Sequence, residues 1–179
     1  MNTKEMLVKE LKQMEMGLNY ILDGVLNYGN EEEQIIVENV FNGGTEEGYA
    51  QNRYTLCFKQ SFHEECCNFS ALLEEFAETV NVEIPFVEKE EYSNLLSVFK
   101  GFDVVKEALE TINDICREDS ELREKLTQFE SDEIDYNPFK EKGVFTFQKT
   151  FRGWSRAFQK EVRDEIGRQK SEYLLQQLK

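Results

Sequence analysis

Residues 143–166 read GVFTFQKTFRGWSRAFQKEVRDEI, and how they fold decides the class of the whole chain. By residue type the first nine suit a strand, because Val, Phe and Thr fit a pleated surface. Their spacing says otherwise. Val144, Phe147, Phe151, Trp154, Phe158, Val162 and Ile166 recur at intervals of 3, 4, 3, 4, 4 and 4. Lys149, Arg152, Arg156, Lys160 and Arg163 recur at 3, 4, 4 and 3 on a different face. Two stripes that stay in phase across a supposed strand–helix junction favour a single helical periodicity. The spacing predicts one helix over about residues 144–177, with Tyr173, Leu174 and Leu178 extending its apolar side.

Helical spacing also governs the N-terminal segment. Behind Thr3, the expected N-cap, Leu7, Leu11, Met14, Leu18, Ile21 and Val25 follow at intervals of 4, 3, 4, 3 and 4. Such a stripe faces either the protein's own core or a second copy of the chain. Gly17 and Gly24 interrupt it, at roughly 1 kcal/mol each relative to alanine unless packing requires them. A second helix is expected over Glu31–Asn42, capped by Asn30, with Glu33 in the capping-box position and Gly43-Gly44 as its stop.

Residues 45–67 carry both periods. Tyr54, Leu56 and Phe58 alternate as in a strand, whereas Tyr54, Phe58 and Phe62 repeat every four residues. The helix start implied by Thr45, Glu46 and Glu47 favours the second reading. Ser70 is the expected cap of a helix through Leu72, Leu73, Phe76 and Val80, and residues 81–91 around Pro85 form a connection with an extended piece at 82–87. A short helix over 93–100 is expected to stop at Gly101. Asp103 then caps the next, with Val105, Leu109, Ile112 and Cys116 inward. Ser120 caps another, with Leu122, Leu126 and Phe129 inward, and residues 130–138 form an acidic loop. The expected fold is mainly α, an irregular multi-helix bundle with a long C-terminal helix. The alternative is α+β, with a small antiparallel sheet drawn from 45–67 and 143–151. One domain is expected, with 1–135 as an acidic helical body and 136–179 as a basic amphipathic helix packed on it or extending from it.

Charge separates those two parts. The chain carries 21 Lys and Arg against 36 Asp and Glu, a net charge of −15. Residues 1–135 hold 11 bases and 31 acids, a balance of −20, and residues 136–179 hold 10 and 5, a balance of +5. The densest acidity runs from Asp103 to Asp135, with twelve carboxylates against four bases. Within it, Asp103, Glu107, Glu110, Asp114 and Glu118 recur at 4, 3, 4 and 4, one continuous helical stripe that Glu121 and Glu124 prolong. The acidic bulk opposes binding of nucleic acid by the surface as a whole, since phosphates are repelled at range. Intramolecular pairing of the acidic and basic stripes is the alternative to a charged partner.

Catalytic and metal chemistry find little support in the residues. The single histidine lies in Cys57…His63-Glu-Glu-Cys66-Cys67, a spacing unlike the familiar zinc sites, so no metal is expected. One histidine must serve every potential nucleophile, and neither a phosphate loop nor a dinucleotide fingerprint is present. Cys57, Cys66, Cys67 and Cys116 are expected as free thiols, and no cofactor is expected. No run approaches the eighteen apolar residues of a membrane span, and a cytoplasmic location is expected.

The expectation that remains is a non-enzymatic, acidic binding protein. A rigid row of carboxylates presents a line of negative charge somewhat as a phosphate backbone does. A basic, nucleic-acid-handling partner, such as a nuclease or its nucleic-acid complex, could accept it. Phage-type anti-restriction and anti-CRISPR inhibitors work by this logic, which is an analogy of charge alone. Two alternatives stand beside it. One is an immunity protein that neutralises a basic toxin. The other is a homo-oligomeric scaffold subunit joined through Leu7, Leu11, Met14, Leu18, Ile21 and Val25.

Overall fold

The computed structural model describes residues 1–26, 29–42, 53–134 and 137–178, with side chains at 41–42, 53–65 and 141–142 outside the description. Seven helices occupy the described residues: α1 (Thr3–Leu26), α2 (Glu31–Asn42), α3 (Arg53–Thr79), α4 (Asn94–Glu118), α5 (Ser120–Thr127), α6 (Pro138–Lys142) and α7 (Val144–Gln177). There is no sheet among these residues, only an isolated bridge between Ser131 and Ile134. The mainly-α expectation holds, and α7 has the length that the two in-phase stripes demanded. The α+β alternative fails because 144–151 and the described part of 45–67 are helical. The Gly43-Gly44 stop and the Thr45 helix start lie outside the described residues.

The centre of the molecule is an antiparallel pair, α1 on α4. Gly17 lies against Gly101 and Val105, and Gly24 lies against Asn94 and Val98. A methyl group on Gly17 would come within 2.6 Å of Val105 Cγ2, and one on Gly101 would strike the Gly17 carbonyl and come within 2.5 Å of Ile21 Cγ1. Glycine is therefore what lets the two backbones approach. Close approach also allows α4 side chains to reach the α1 backbone. Ser97 Oγ donates to the Tyr20 carbonyl at 2.7 Å, and Asn94 Nδ2 donates to the Gly24 carbonyl at 3.2 Å. Asn94 additionally donates to Gln34 Oε1 and accepts from the Asn30 amide, which fixes the start of α2.

This pairing corrects two expectations. Gly101 does not stop a helix, and Asp103 does not cap one: α4 runs unbroken from 94 to 118. The helical cost of glycine is offset by the contact that glycine alone permits. Likewise Ser70 lies inside α3, not at its start. Three caps sit one residue earlier than expected or are confirmed. Asn2, not Thr3, accepts the Glu5 amide at 2.9 Å, while Thr3 Oγ1 donates to Asp119 at 3.1 Å. Asp119, not Ser120, accepts the Leu122 amide at 3.0 Å. Asn30 does cap α2, accepting the Glu33 amide at 3.1 Å. Glu33 turns away from the reciprocal box and accepts instead from Ser93. Residues 82–93 form the connection, without a paired strand.

One hydrophobic core gathers side chains from α1, α2, α3, α4, α5, α6 and α7. Leu7, Leu11, Met14, Leu18 and Ile21 are buried in it, and Val25 packs at its edge. The N-terminal stripe is thus consumed inside its own chain, which removes the geometric basis for a scaffold joined through that face. α7 docks on α4 through rings: Phe151 and Phe158 meet Phe102 with centroids 5.4 and 5.2 Å apart, and Phe158 meets Phe99 at 5.0 Å. Each such pair adds roughly 0.5–1.5 kcal/mol beyond the area it buries. At its start Gly143 takes φ +80°, a conformation suited to glycine, to turn the chain from α6 into α7. Beyond Gln169 every described α7 residue is exposed, so Tyr173, Leu174 and Leu178 extend past the body and do not continue its buried face.

Candidate partner-binding faces

α4 buries one side and offers the other. Val105, Leu109, Ile112 and Cys116 are at most 1% exposed. At 100° per residue the carboxylates Asp103, Glu107, Glu110, Asp114 and Glu118 fall within an arc of about 80° well away from that side. All five are exposed, and so are Glu121 and Glu124 on α5. From Asp103 to Glu118 the row is about 22 Å long at 1.5 Å per residue.

Few cations answer these acids. Asp103 meets Lys106 at 3.4 Å and Glu121 meets Lys125 at 3.6 Å, both ordinary pairs along one helix. Glu107, Glu110, Asp114, Glu118 and Glu124 make no ion pair among the described residues. The field of the row reaches α1: burial raises the Glu10 carboxyl above its ordinary range, Lys9 opposes this, and the neighbouring Glu107 charge adds to it. The row is therefore edged by a further carboxyl that shares its field.

The basic stripe occupies the outer side of α7. Lys149, Arg152, Arg156, Lys160 and Arg163 are all exposed. They fall within an arc of about 80°, nearly opposite Phe151 and Phe158, which hold the helix to α4. Lys160 meets Asp164 at 3.7 Å and Lys149 stands 5.4 Å from the Phe145 ring centroid. No ion pair joins the acidic row to the basic stripe among the described residues. A stripe that faces away from its own body cannot neutralise it.

Further along α7, Glu165 ties the helix to α2. It accepts from Asn39 Nδ2 at 3.0 Å and pairs with Arg168, whose hydrogen bond is the main cause holding its carboxyl below the usual range. The sequence pattern hid this joint, since nothing in the spacing of Asn39 announces a partner 126 residues away.

The described thiols differ in exposure. Cys116 is buried, and burial pushes its thiol up to about 11, which keeps it protonated and unreactive near neutral pH. Cys66 is buried while Cys67 is exposed, so the adjacent pair diverges. The Cys57 and His63 side chains lie outside the described residues, and among the described ones no three His, Cys, Asp or Glu could hold a metal ion together. A surface cleft beside Tyr92, Asp23 and Ser97 is crossed by the Lys89–Asp23 ion pair. None of the described helices is long and apolar enough to cross a membrane. Comparison with known protein families, characterised proteins and solved structures finds no match for the chain.

Proposed function

We propose that the chain is a non-enzymatic inhibitor whose acidic row docks in the basic cleft of a nucleic-acid-handling protein. The observation that carries this reading is the row itself: carboxylates aligned on the solvent side of α4, most of them without a cation among the described residues. Charges spaced about 5–6 Å apart along a helix lie within one Debye length of each other at 0.1 M salt, so they act on a partner as a unit. Their axial pitch is wider than the 3.4 Å per charge of one nucleic-acid strand. The reading accordingly requires that α4 fit a cleft by charge and by the 10–12 Å girth of a helix, not that it copy a duplex atom for atom. Restriction and CRISPR nucleases are partners of this chemistry, and a basic toxin is another.

The test is inhibition of substrate cleavage by a panel of basic nucleases at 0.1 and 0.5 M salt. Inhibition should weaken as salt rises and should fall at least tenfold in the triple variant E107K/E110K/D114K with helical circular dichroism unchanged. Equal inhibition by the folded variant would remove the row from the mechanism.

A further inference from the structure

We propose that the outward face of α7 docks on the carboxylate row of a second copy of this chain. This inference is independent of the inhibitor reading. Its starting point is an unpartnered helix face: five cations in line, all exposed, on the side of α7 turned away from the rings that anchor it. Among the described residues nothing of its own molecule buries that face, and no ion pair links it to the acidic row. The acidic row is the same chain's complementary surface.

The two rows match in number, length and pitch. Five bases span 14 residues, about 21 Å, and five acids span 15 residues, about 22 Å. Set antiparallel with Arg163 opposite Asp103, the offsets along α7 are 3, 7, 11 and 14 residues and those along α4 are 4, 7, 11 and 15. The mismatch never exceeds one residue, about 1.5 Å, within reach of an Arg or Lys side chain. Arg156 then stands opposite Glu110, and Arg152 opposite Asp114.

A third coincidence selects the antiparallel register. Continued past Arg163, it brings Leu174 within about one turn of Leu96, which lies on the same side of α4 as the row. Leu174 is 61% exposed and Leu96 is 52% exposed. Apolar side chains left bare at the end of each row would thus meet each other. A parallel register carries Leu174 about ten residues past the end of α4 at Glu118 and loses that contact, against about two residues before its start in the antiparallel one. Antiparallel helices also set opposite dipole ends together. Because each copy carries both rows, the contact can repeat from copy to copy, closing on itself or extending as a chain.

Sedimentation equilibrium of the full chain at 0.05 M salt should show mass rising with concentration, and the association constant should fall about tenfold or more by 0.5 M salt. The decisive arm is a charge exchange. E107K/E110K/D114K makes both rows basic, and R152E/R156E/K160E makes both acidic, so each variant alone should remain monomeric. Mixed one to one, they present opposite rows to each other and should associate again. Should a triple variant fail to fold, E110K and R156E alone, which face each other in this register, should each weaken association and should recover it when mixed. Wild-type protein of constant monomer mass at low salt would overturn the proposal. So would a reversed variant that self-associates like wild type, or a mixture that stays monomeric. Binding of duplex DNA or of anionic phosphatidylserine vesicles to the α7 face of a monomeric wild-type protein would overturn it as well and name the occupant. Failure here leaves the inhibitor reading intact, since R152E/R156E/K160E keeps the acidic row and should still inhibit a basic nuclease.

Discussion

Glycines at three positions look alike in the sequence and differ in consequence. Gly17 and Gly101 sit where two helix backbones touch, whereas nothing lies within 4 Å of a methyl group placed on Gly153. Helix propensity alone would make alanine favourable at each by up to about 1 kcal/mol. Overpacking at the α1–α4 contact costs about 1–3 kcal/mol and wins there, because the Gly17 carbonyl is backbone and cannot step aside. Gly101→Ala should therefore lower the melting temperature by roughly 3–10 °C, and Gly153→Ala should raise it by about 2 °C, given 2–4 °C per kcal/mol at this size. Calorimetry of the two variants separates packing from propensity, and stabilisation by Gly101→Ala would refute the close contact. Reactivity offers a second check at this scale. With its thiol pushed up to about 11 by burial, Cys116 should stay unmodified by an alkylating reagent at pH 8 in the native protein, while exposed Cys67 is modified. Peptide mapping before and after denaturation reads this directly, and early labelling of Cys116 would show that the core face of α4 opens.

Among the elements, α7 was the most legible in the sequence, and for a physical reason. Its apolar and basic stripes are independent records of one period, and both persist through residues that resemble a strand by type. α4 was read less well. By sequence Gly101 reads as a stop, since a glycine inside a helical pattern is a local signal for termination. Its true partner, Gly17, is 84 positions away and cannot be seen from either neighbourhood. The joint between α2 and α7 was hidden in the same way, and it sets a pH dependence. Glu165 has its carboxyl held below the usual range by Arg168 first. A carboxylate depressed on folding contributes stability above its unfolded value, near 4.3, and loses it as pH falls through the lower folded value. Glu165→Gln keeps an acceptor for Asn39 and removes the charge. The variant should lose less stability than wild type between about pH 5 and pH 3. The difference should be only about 0.5 kcal/mol, because a partly exposed pair is screened by solvent. Urea midpoints across that range measure it, and parallel profiles would show that the Arg168 pair contributes nothing.

For the molecule as a whole, the exposure of the acidic row could be foreseen, because the inward residues of α4 follow a period that leaves Asp103, Glu107, Glu110, Asp114 and Glu118 outside. That the row stays unpaired with the basic stripe could not be foreseen. It depends on which side of α7 its phenylalanines turn toward the body, and that is settled by packing between distant elements. The unpaired state has a measurable cost. Asp103–Glu107, Glu107–Glu110, Glu110–Asp114 and Asp114–Glu118 are four like-charge neighbours on one helix, each unfavourable by about 0.2–0.5 kcal/mol, or about 1–2 kcal/mol together. Neutralising the middle of the row with E107Q/E110Q/D114N should therefore stabilise the fold, by several degrees in the melting temperature at 0.05 M salt and less at 0.5 M. A row with no task would show the gain in stability and nothing else. A row that serves as a docking face should show the gain together with loss of nuclease inhibition, of self-association, or of both. Opposite signs for stability and binding in one folded variant are what distinguish a functional row from a merely solvated one, and a variant that is no more stable than wild type at low salt would show that the carboxylates are compensated after all.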